Sequence, residues 1–274
     1  MKITRAMEMI AASRIVKAQR RVEAARPYAE RLTSAIEDVA RQSGSLAHPL
    51  LEERDTPKAA GVLLITSDRG LAGAYNSNVI RLAEEVIAGV KARGLTPVLY
   101  VAGKKGQSYF RFRQVPMRGT WLGISEIPAY DNAAEIGAAM IRDYEEATID
   151  ELHTVYTDFR SAFTMRATSK RFLPISTNEV ISKESTQVSA EYIFEPEEIL
   201  GDLLPQYVIA KVFAAMLESA ASENAARRRA MKAATENAED LIKILTRQAN
   251  QARQTEITTE IMEIVGGSEA LSQV

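Results

Sequence analysis

The sequence predicts an α/β protein whose long N- and C-terminal helices pair as an antiparallel coiled coil, joined to a central α/β domain with a mainly parallel sheet. Residues 206–265 contain neither glycine nor proline and include thirteen alanines, which predicts one unbroken helix. Residues 1–40 contain no glycine and carry a second helical pattern. Between these segments, short apolar runs alternate with helical stretches, as they do in folds built on a parallel sheet.

The N-terminal segment carries an apolar stripe with helical spacing. Its members recur at steps of three and four residues on either side of a proline: Ala11, Ile15, Ala18, Val22, Ala25, Leu32, Ile36 and Val39. A spacing near 3.5 residues is typical of a coiled-coil seam. Because a proline inside a helix removes a hydrogen bond and clashes with the preceding turn, we expect the helix to bend or break at Pro27. Residues 1–57 are assigned to the N-terminal helix of a shaft.

Residues 58–204 are assigned to the central domain. The apolar run 62–66 is typical of a buried parallel strand, and two further strands are predicted at 97–102 and 153–159. Helices are predicted from Asn76 or Ser77, either of which can cap the first turn, to residue 91, and over 133–147. A short basic segment follows Gly103. The alternation of strands and helices predicts a small Rossmann-like domain of three layers.

Residues 205–274 are assigned to the C-terminal helix of the shaft. A helix over 206–265 would be about 90 Å long at roughly 1.5 Å per residue. A compact globule of this chain length is only about 50 Å across, so the helix must project from it. Its seam contains apolar residues at the same spacing: Met231, Ala234, Ala238, Leu241, Ile242, Leu245, Ala249 and Ala252.

The stripe extends backwards to Arg227 and Asn224, which are poor core residues. Two interpretations stay open at this point. The polar residues could interrupt the seam and fix its register. Alternatively, the rod is not self-sufficient and other proteins sheathe it, since an alanine seam buries little apolar area.

The composition excludes several classes of function. The chain has no cysteine, which excludes disulfides, thiolate metal sites and cysteine nucleophiles. Its formal net charge of −2 argues against a dedicated nucleic-acid binder. No apolar run approaches the roughly 20 residues of a bilayer span, so we expect a soluble protein that meets a membrane only through partners. His48 and His153 lie far apart without nearby ligand clusters, so we expect no metal site.

The loop 67–76 occupies the position at which many α/β folds bind phosphate groups. It follows a strand, contains Gly70 and Gly73, and precedes a helix. It lacks both the G-x-G-x-x-G spacing and the lysine and hydroxyl of a P-loop. We therefore predict a structural turn, with no catalytic residue and no cofactor in this chain.

Four segments of the chain resemble the gamma subunit of F-type ATP synthases. They are residues 2–13, 66–71, 222–235 and 252–267, and they occur in the family's order over essentially the whole chain. The resemblance implies a non-catalytic central stalk whose two helices turn inside a hexamer of alternating alpha and beta subunits. It places the α/β domain at the foot of the stalk, with the epsilon subunit and the membrane c-ring. It also implies one copy per complex, at the cytoplasmic face of the bacterial inner membrane.

The resemblance also implies which residues contact partners. Met7 matches a position near an acidic loop of the beta subunits. Five further residues match positions linked to coupling or to a beta-subunit catch loop: Arg227, Arg253, Gln254, Thr258 and Glu260. Each could instead be ordinary shaft surface. Because the family normally begins with a further helical segment, we expect this chain to lack part of the shaft's N-terminal strand.

Two other functions fit part of the sequence. A freestanding coiled-coil scaffold would explain the long helices, and it predicts a stable homodimer rather than one copy per assembly. A nucleotide-dependent oxidoreductase would explain the central domain, but it leaves the long C-terminal helix without a purpose.

Overall fold

A computed structural model describes residues 2–43, 48–161, 164–176 and 196–272 of the chain. The described residues form five helices: α1 (Lys2–Ser43), α2 (Tyr75–Ala92), α3 (Lys104–Phe112), α4 (Tyr130–Glu145) and α5 (Pro196–Ser272). They form five strands: β1 (Ala59–Ile65), β2 (Thr96–Ala102), β3 (Gly119–Trp121), β4 (Glu151–Phe159) and β5 (Met165–Leu173). The basic segment after Gly103, which was not assigned to an element from the sequence, is helix α3.

The five strands form one sheet in the order β3-β2-β1-β4-β5. β1 pairs in parallel with β2 and β4, and β2 pairs in parallel with β3. β4 and β5 are antiparallel. The prediction of a mainly parallel sheet is therefore confirmed, and its three predicted strands are the central ones. The two edge strands, β3 and β5, were not predicted from the sequence.

The sheet is the middle of three layers, because both of its faces are covered by helices. Val62 and Leu64 of β1 face α2 and α3 in one apolar cluster. Leu63 and Ile65 face the opposite cluster, which contains α4 and parts of α1 and α5. A central strand buried on both faces is apolar at every position rather than at alternate ones. This explains why the run 62–65 was recognisable in the sequence.

The two long helices run antiparallel. Thr4 near the start of α1 and Thr235 of α5 share a hydrogen bond of 2.7 Å between their hydroxyl oxygens. At the other end of α1, Ile36 and Val39 are in the same core cluster as Leu200 and Leu204 of α5. The predicted antiparallel pairing of N- and C-terminal helices is confirmed.

Two prolines, Pro27 and Pro205, lie inside the long helices. α1 continues through Pro27, so of the expected bend or break the break does not occur. α5 begins at Pro196 and continues through Pro205, ahead of the predicted start at residue 206. Leu200, Leu204 and Val208 are completely buried around that point, and their packing offsets the hydrogen bond that a proline removes.

α5 also contains an 18-residue window with a mean hydropathy of 1.4, which is apolar enough to cross a membrane by length and composition alone. The expectation that no segment approaches this threshold was therefore wrong. Half of that window is buried inside the fold. The apolar side chains near the start of α5 pack on the sheet and on α4, which is typical of the core helix of a globular domain.

Candidate functional site

The most unusual surface of the described chain is the distal part of α5. Every residue from 240 to 265, called here the free segment, is exposed. It is about 39 Å long at 1.5 Å per residue. Its exposed side chains include large apolar ones: Leu241, Ile242, Ile244, Leu245, Ile257, Ile261, Met262, Ile264 and Val265. The predicted seam is therefore buried near Met231 but uncovered beyond residue 239.

Four of the predicted partner-contact residues lie on the free segment. Arg253 and Glu260 are seven residues apart and so share one side of the helix, and Gln254 and Thr258 lie one turn apart on the neighbouring side. All four are exposed. The Thr258 hydroxyl donates to the Gln254 carbonyl at 2.8 Å, within the helix itself. Among the described residues, the side chains of Arg253 and Glu260 form no ion pair, so both are available to a partner.

The other two predicted residues lie elsewhere on the shaft. Met7 is half-buried on α1, one turn from the contact between Thr4 and Thr235. Along the antiparallel pair this is about 30 Å from Arg253. Arg227 lies 26 residues before Arg253 on α5, about 39 Å away. The six residues are therefore spread along the shaft and do not form one compact site.

Arg227 is buried where α5 meets the α/β domain. Its Nη2 donates to Glu223 Oε1 at 2.6 Å and to the Gly70 carbonyl at 3.3 Å. Its Nη1 donates to Asn224 Oδ1 at 3.5 Å. We call these four residues the junction. Glu223 and Asn224 are almost completely buried as well. Arg227 faces the loop after β1 through Gly70, so its interpretation as a polar interruption of the helix seam was wrong, while the Asn224 amide donates within α5 to the Ala220 carbonyl at 2.8 Å.

The electrostatics of the junction depend on the ion pair. Burial raises the pKa of Glu223, while the adjacent Arg227 guanidinium acts in the opposite direction. Glu223 Oε1 accepts from Arg227, whereas Oε2 is buried without a hydrogen-bond partner among the described residues. The pair fixes α5 to the domain through Gly70. Its i, i+4 spacing is that of a helical ion pair, which was the local signal that could have identified Glu223 from the sequence.

The loop 67–76 is held by its own polar side chains. Asp68 accepts hydrogen bonds from the backbone N–H groups of Lys104 at 3.0 Å and Ser125 at 2.9 Å. Burial acts to raise the pKa of Asp68, but backbone hydrogen bonds outweigh it and hold the pKa below its usual value. Since Lys104 is the first residue of α3, the Asp68 carboxylate ties this loop to the N-terminus of α3. This arrangement agrees with the prediction of a structural turn.

Asn76 also belongs to this loop and does not cap α2. Its Oδ1 accepts from the Ser67 N–H at 3.0 Å. The N-cap of α2 is Ala74, which makes no side-chain capping bond, and the Ser77 hydroxyl donates back to the Ala74 carbonyl at 3.1 Å. The predicted cap at Asn76 or Ser77 was therefore wrong, because Asn76 is used to close the loop.

Within the described ranges, no three histidine, aspartate or glutamate side chains are grouped so that they could hold a metal ion. His153 contacts Glu151 at 2.9 Å, and Glu151 also pairs with Arg93 at 2.7 Å. This cluster joins β4 to the end of α2. Burial acts to raise the pKa of Glu151, but the hydrogen bonds from Arg93 and His153 and the Arg93 charge outweigh it and lower the pKa.

Comparison with known proteins identifies the family. The sequence model of the ATP synthase family matches residues 1–271. The ATP synthase gamma chain of Acidothermus cellulolyticus is 51% identical over 276 residues, covering 98% of this chain and 92% of that protein. The ATP synthase gamma chain of Thermobifida fusca is 51% identical over 280 residues, covering 99% of this chain and 91% of that protein.

The fold gives the same result. A chain from the central stalk and c-ring structure of the Tetrahymena thermophila mitochondrial ATP synthase matches with a TM-score of 0.61 at 25% identity. The match covers 85% of this chain and 99% of that one. The two relatives are each 51% identical to this chain over nearly its full length. Together with the projecting helix and the three-layer domain, this identity shows that the chain belongs to the ATP synthase gamma chain family.

Proposed function

We propose that this chain works as the rotor shaft of a bacterial F-type ATP synthase and that the free segment of α5 is the part that the catalytic subunits contact. As a gamma chain it is a central-stalk subunit and not the catalytic one. Family membership also decides between the stalk and the two alternatives, a freestanding scaffold and an oxidoreductase, in favour of the stalk.

One observation carries the proposal: 26 successive residues of α5, from 240 to 265, are exposed and many are large and apolar. Contiguous exposed apolar surface on a soluble protein indicates an interaction site. The large apolar residues of this stretch occur on several sides of the helix, so a single paired helix would not cover them all. We infer that a ring of alternating alpha and beta subunits surrounds the free segment, with one gamma chain per complex.

The mechanism that we propose rests on the asymmetry of the free segment. Arg253 and Glu260 lie on one side, whereas the exposed Ile244 and Met262, nine residues before and after Arg253, lie on the opposite side. A rotating shaft of this kind presents different contacts to each catalytic subunit in turn. A shaft can shift the conformation of a subunit only if its contacts differ between the conformations, and unequal faces supply that difference.

The α/β domain is proposed to be the foot of the stalk. We infer that it contacts the epsilon subunit and the membrane c-ring, at the cytoplasmic face of the bacterial inner membrane, and receives the torque there. The junction is the buried polar link between this domain and α5. We therefore assign Arg227 to torque transmission inside the chain. Met7, Gln254 and Thr258 are assigned to partner contact.

Arg253 offers the sharpest test. Its guanidinium has a planar fork of donors that can hold a carboxylate with two hydrogen bonds, and it has no ion-pair partner among the described residues. We expect Arg253→Ala to reduce proton-driven ATP synthesis in inverted membrane vesicles about tenfold or more, as expected for one lost hydrogen bond to a charged group. Assembly of the complex should be unchanged.

Arg247→Ala is the matched control, because Arg247 is exposed on the same free segment but is not assigned to coupling. Its synthesis rate should stay close to the wild type. Unchanged synthesis in Arg253→Ala, or equal losses in the two variants, would contradict the assignment of Arg253. Immunoblotting of alpha, beta and gamma chains in the vesicles separates a coupling defect from failed assembly.

A further inference from the structure

A cavity of about 580 Å³ separates α1 from α5 near the base of the shaft. The α1 seam residues at this point, Val22 and Ala25, are only half-buried, whereas Ala18 before them and Leu32 after them are buried. The two helices therefore part between residues 18 and 32. The cavity falls within the range of roughly 300–1,000 Å³ that is usual for small-molecule sites.

Three aromatic rings form one wall of this cavity. The Tyr130 ring packs edge-on against Tyr28, with centroids 6.4 Å apart, and against Phe213 at 5.6 Å. The Tyr130 hydroxyl donates to Gln206 Oε1 at 2.9 Å, which fixes the ring in place. Apolar residues such as Ala214 and Leu217 line much of the rest, together with the side chain of Arg26. The cavity thus offers an aromatic wall suited to a flat hydrocarbon body.

A carboxyl group without a cationic partner closes one end. Glu218 lines the cavity, and its Oε2 is buried without a hydrogen-bond donor among the described residues. Lys170 of β5 and Arg26 of α1 face Glu218, but neither forms an ion pair with it there. Asp158 of β4 is close enough to share a hydrogen bond when one of the two carboxyls is protonated. Burial, with the nearby Asp158 charge, raises the pKa of Glu218 to about 7.

We propose that this cavity binds a lipophilic ammonium, a molecule with a flat apolar body and one protonated amine directed at Glu218. The apolar body covers the rings of Tyr28, Tyr130 and Phe213. The amine supplies the cation that Glu218 lacks. The site lies at the base of the shaft, away from the free segment, so it does not depend on the function proposed for that segment.

Two probes of nearly equal shape test the charge requirement. The first is 1-naphthylmethylamine, which is a cation near neutral pH, and the second is the neutral 1-naphthylmethanol. Both are titrated by fluorescence into the purified full-length chain at pH 8. We expect saturable binding of both, with the amine about fivefold tighter, as expected for one partly buried ion pair. Lowering the pH to 6 protonates Glu218. The affinity for the amine should then fall severalfold, while the affinity for the alcohol should stay unchanged.

Two variants assign the binding to this cavity. Glu218→Gln should remove the preference for the amine while the alcohol binds as before. Ala214→Phe should fill the cavity and abolish binding of both probes. Glu236→Gln is the control, because Glu236 lies on α5 but is exposed and pairs with Lys232, and it should behave as the wild type. Circular dichroism checks that each variant is folded.

The following results would contradict binding of a lipophilic ammonium in this cavity. Equal affinities for the amine and the alcohol in the wild type would show that Glu218 contributes no charge recognition. An amine preference that survives Glu218→Gln, or binding that survives Ala214→Phe in a folded protein, would place the probe elsewhere. Failure of both probes to bind the wild type would overturn the site altogether.

Discussion

The Glu223–Arg227 ion pair at the junction is buried, whereas most ion pairs on α5 are exposed. Removing one partner of a buried pair leaves the other charge without compensation, which typically costs about 3–5 kcal/mol. We expect Arg227→Ala to lower the free energy of unfolding of the purified chain by this amount. Urea denaturation followed by circular dichroism measures the change.

Lys232→Ala on the same helix is the matched control. It breaks the pair between Lys232 and Glu236, whose side chains are 64% and 60% exposed. Exposed pairs contribute less than about 1 kcal/mol, so this variant should be nearly as stable as the wild type. If Arg227→Ala and Lys232→Ala both lowered the free energy of unfolding by a similar small amount, the junction would not anchor α5.

A second residue-scale prediction concerns Asp143, which is buried beneath the sheet. Its carboxylate accepts a hydrogen bond from the Tyr100 hydroxyl at 2.6 Å and two from Arg118 at 3.1 and 3.2 Å. Burial acts to raise the pKa of Asp143, but these bonds outweigh it and lower the pKa below 3.8. The stabilisation of the fold by the ionised Asp143 carboxylate is therefore fully present above about pH 4. It is lost as the pH falls through the pKa of Asp143 in the folded state.

We expect Asp143→Asn to be less stable than the wild type at pH 7, and the difference to shrink below pH 4. Urea midpoints measured from pH 3 to pH 7 test this. Asp131→Asn, an exposed change in the first turn of the same helix, should alter stability much less at every pH. A stability difference that is constant with pH would contradict a role for the ionised carboxylate.

The junction also marks the limit of what residue patterns could predict. The spacing of Asn224 and Arg227 placed them on the apolar stripe of α5, and nothing local indicated another partner. That partner, Gly70, lies 157 residues earlier in the chain. Periodicity describes which residues share a helix face, but it does not identify the element that covers the face.

At the scale of elements, the centre of the sheet was predictable and its edges were not. β1 is apolar at successive positions because both of its faces are covered. β3 has only three residues, and β5 carries Arg166, Lys170 and Arg171 among its apolar positions. Short or half-polar edge strands give little periodic signal. The start of α5 was misplaced for a related reason, since the buried packing around Pro205 overrides its local helix-breaking effect.

The free segment leads to a prediction about protection from solvent. Helices in proteins owe most of their stability to packing of an apolar face, and residues 240–265 are exposed throughout. We expect these amides to exchange hydrogen rapidly in the purified chain and to become strongly protected when the chain is assembled with alpha and beta subunits. Hydrogen-exchange mass spectrometry on both samples measures this.

Strand β1 provides the internal control, because all but one of its residues are buried in the chain itself. Its protection should be high and similar in both samples. If the free segment were equally protected in the free chain and in the complex, it would be stable without a sheath, and the interpretation as an enclosed shaft would lose its support.

At the scale of the whole molecule, we expect the purified chain not to bind ATP. The loop between β1 and α2 has no phosphate-binding motif, and it carries Asp68. Burial acts to raise the pKa of this carboxyl, but backbone hydrogen bonds outweigh it and lower the pKa, so the group is negatively charged and would repel a phosphate. Equilibrium dialysis with labelled ATP tests this, with the assembled complex as the positive control. Saturable binding to the purified chain at micromolar ATP would contradict it.

The overall architecture was predictable because its signals extend over many residues. A stretch of sixty residues without glycine or proline, 206–265, specifies a projecting helix whatever its neighbours are. The cavity beside Glu218 was not predictable. Val22 and Ala25 continue the stripe of α1 without a change in spacing, and the aromatic wall of the cavity is built from Tyr28, Tyr130 and Phe213, which lie on three different helices.

The pairing of the two ends of the sequence has a consequence for biosynthesis. Thr4 and Thr235 are 231 residues apart, and a ribosome adds about 5–20 residues per second. The strands are all synthesised once Leu173 has emerged, whereas α1 has to wait for α5. Its apolar residues Leu32, Ile36 and Val39 therefore stay without their final partners for roughly 10–30 seconds. The shaft is completed last, although its first helix is the first part of the chain to be made.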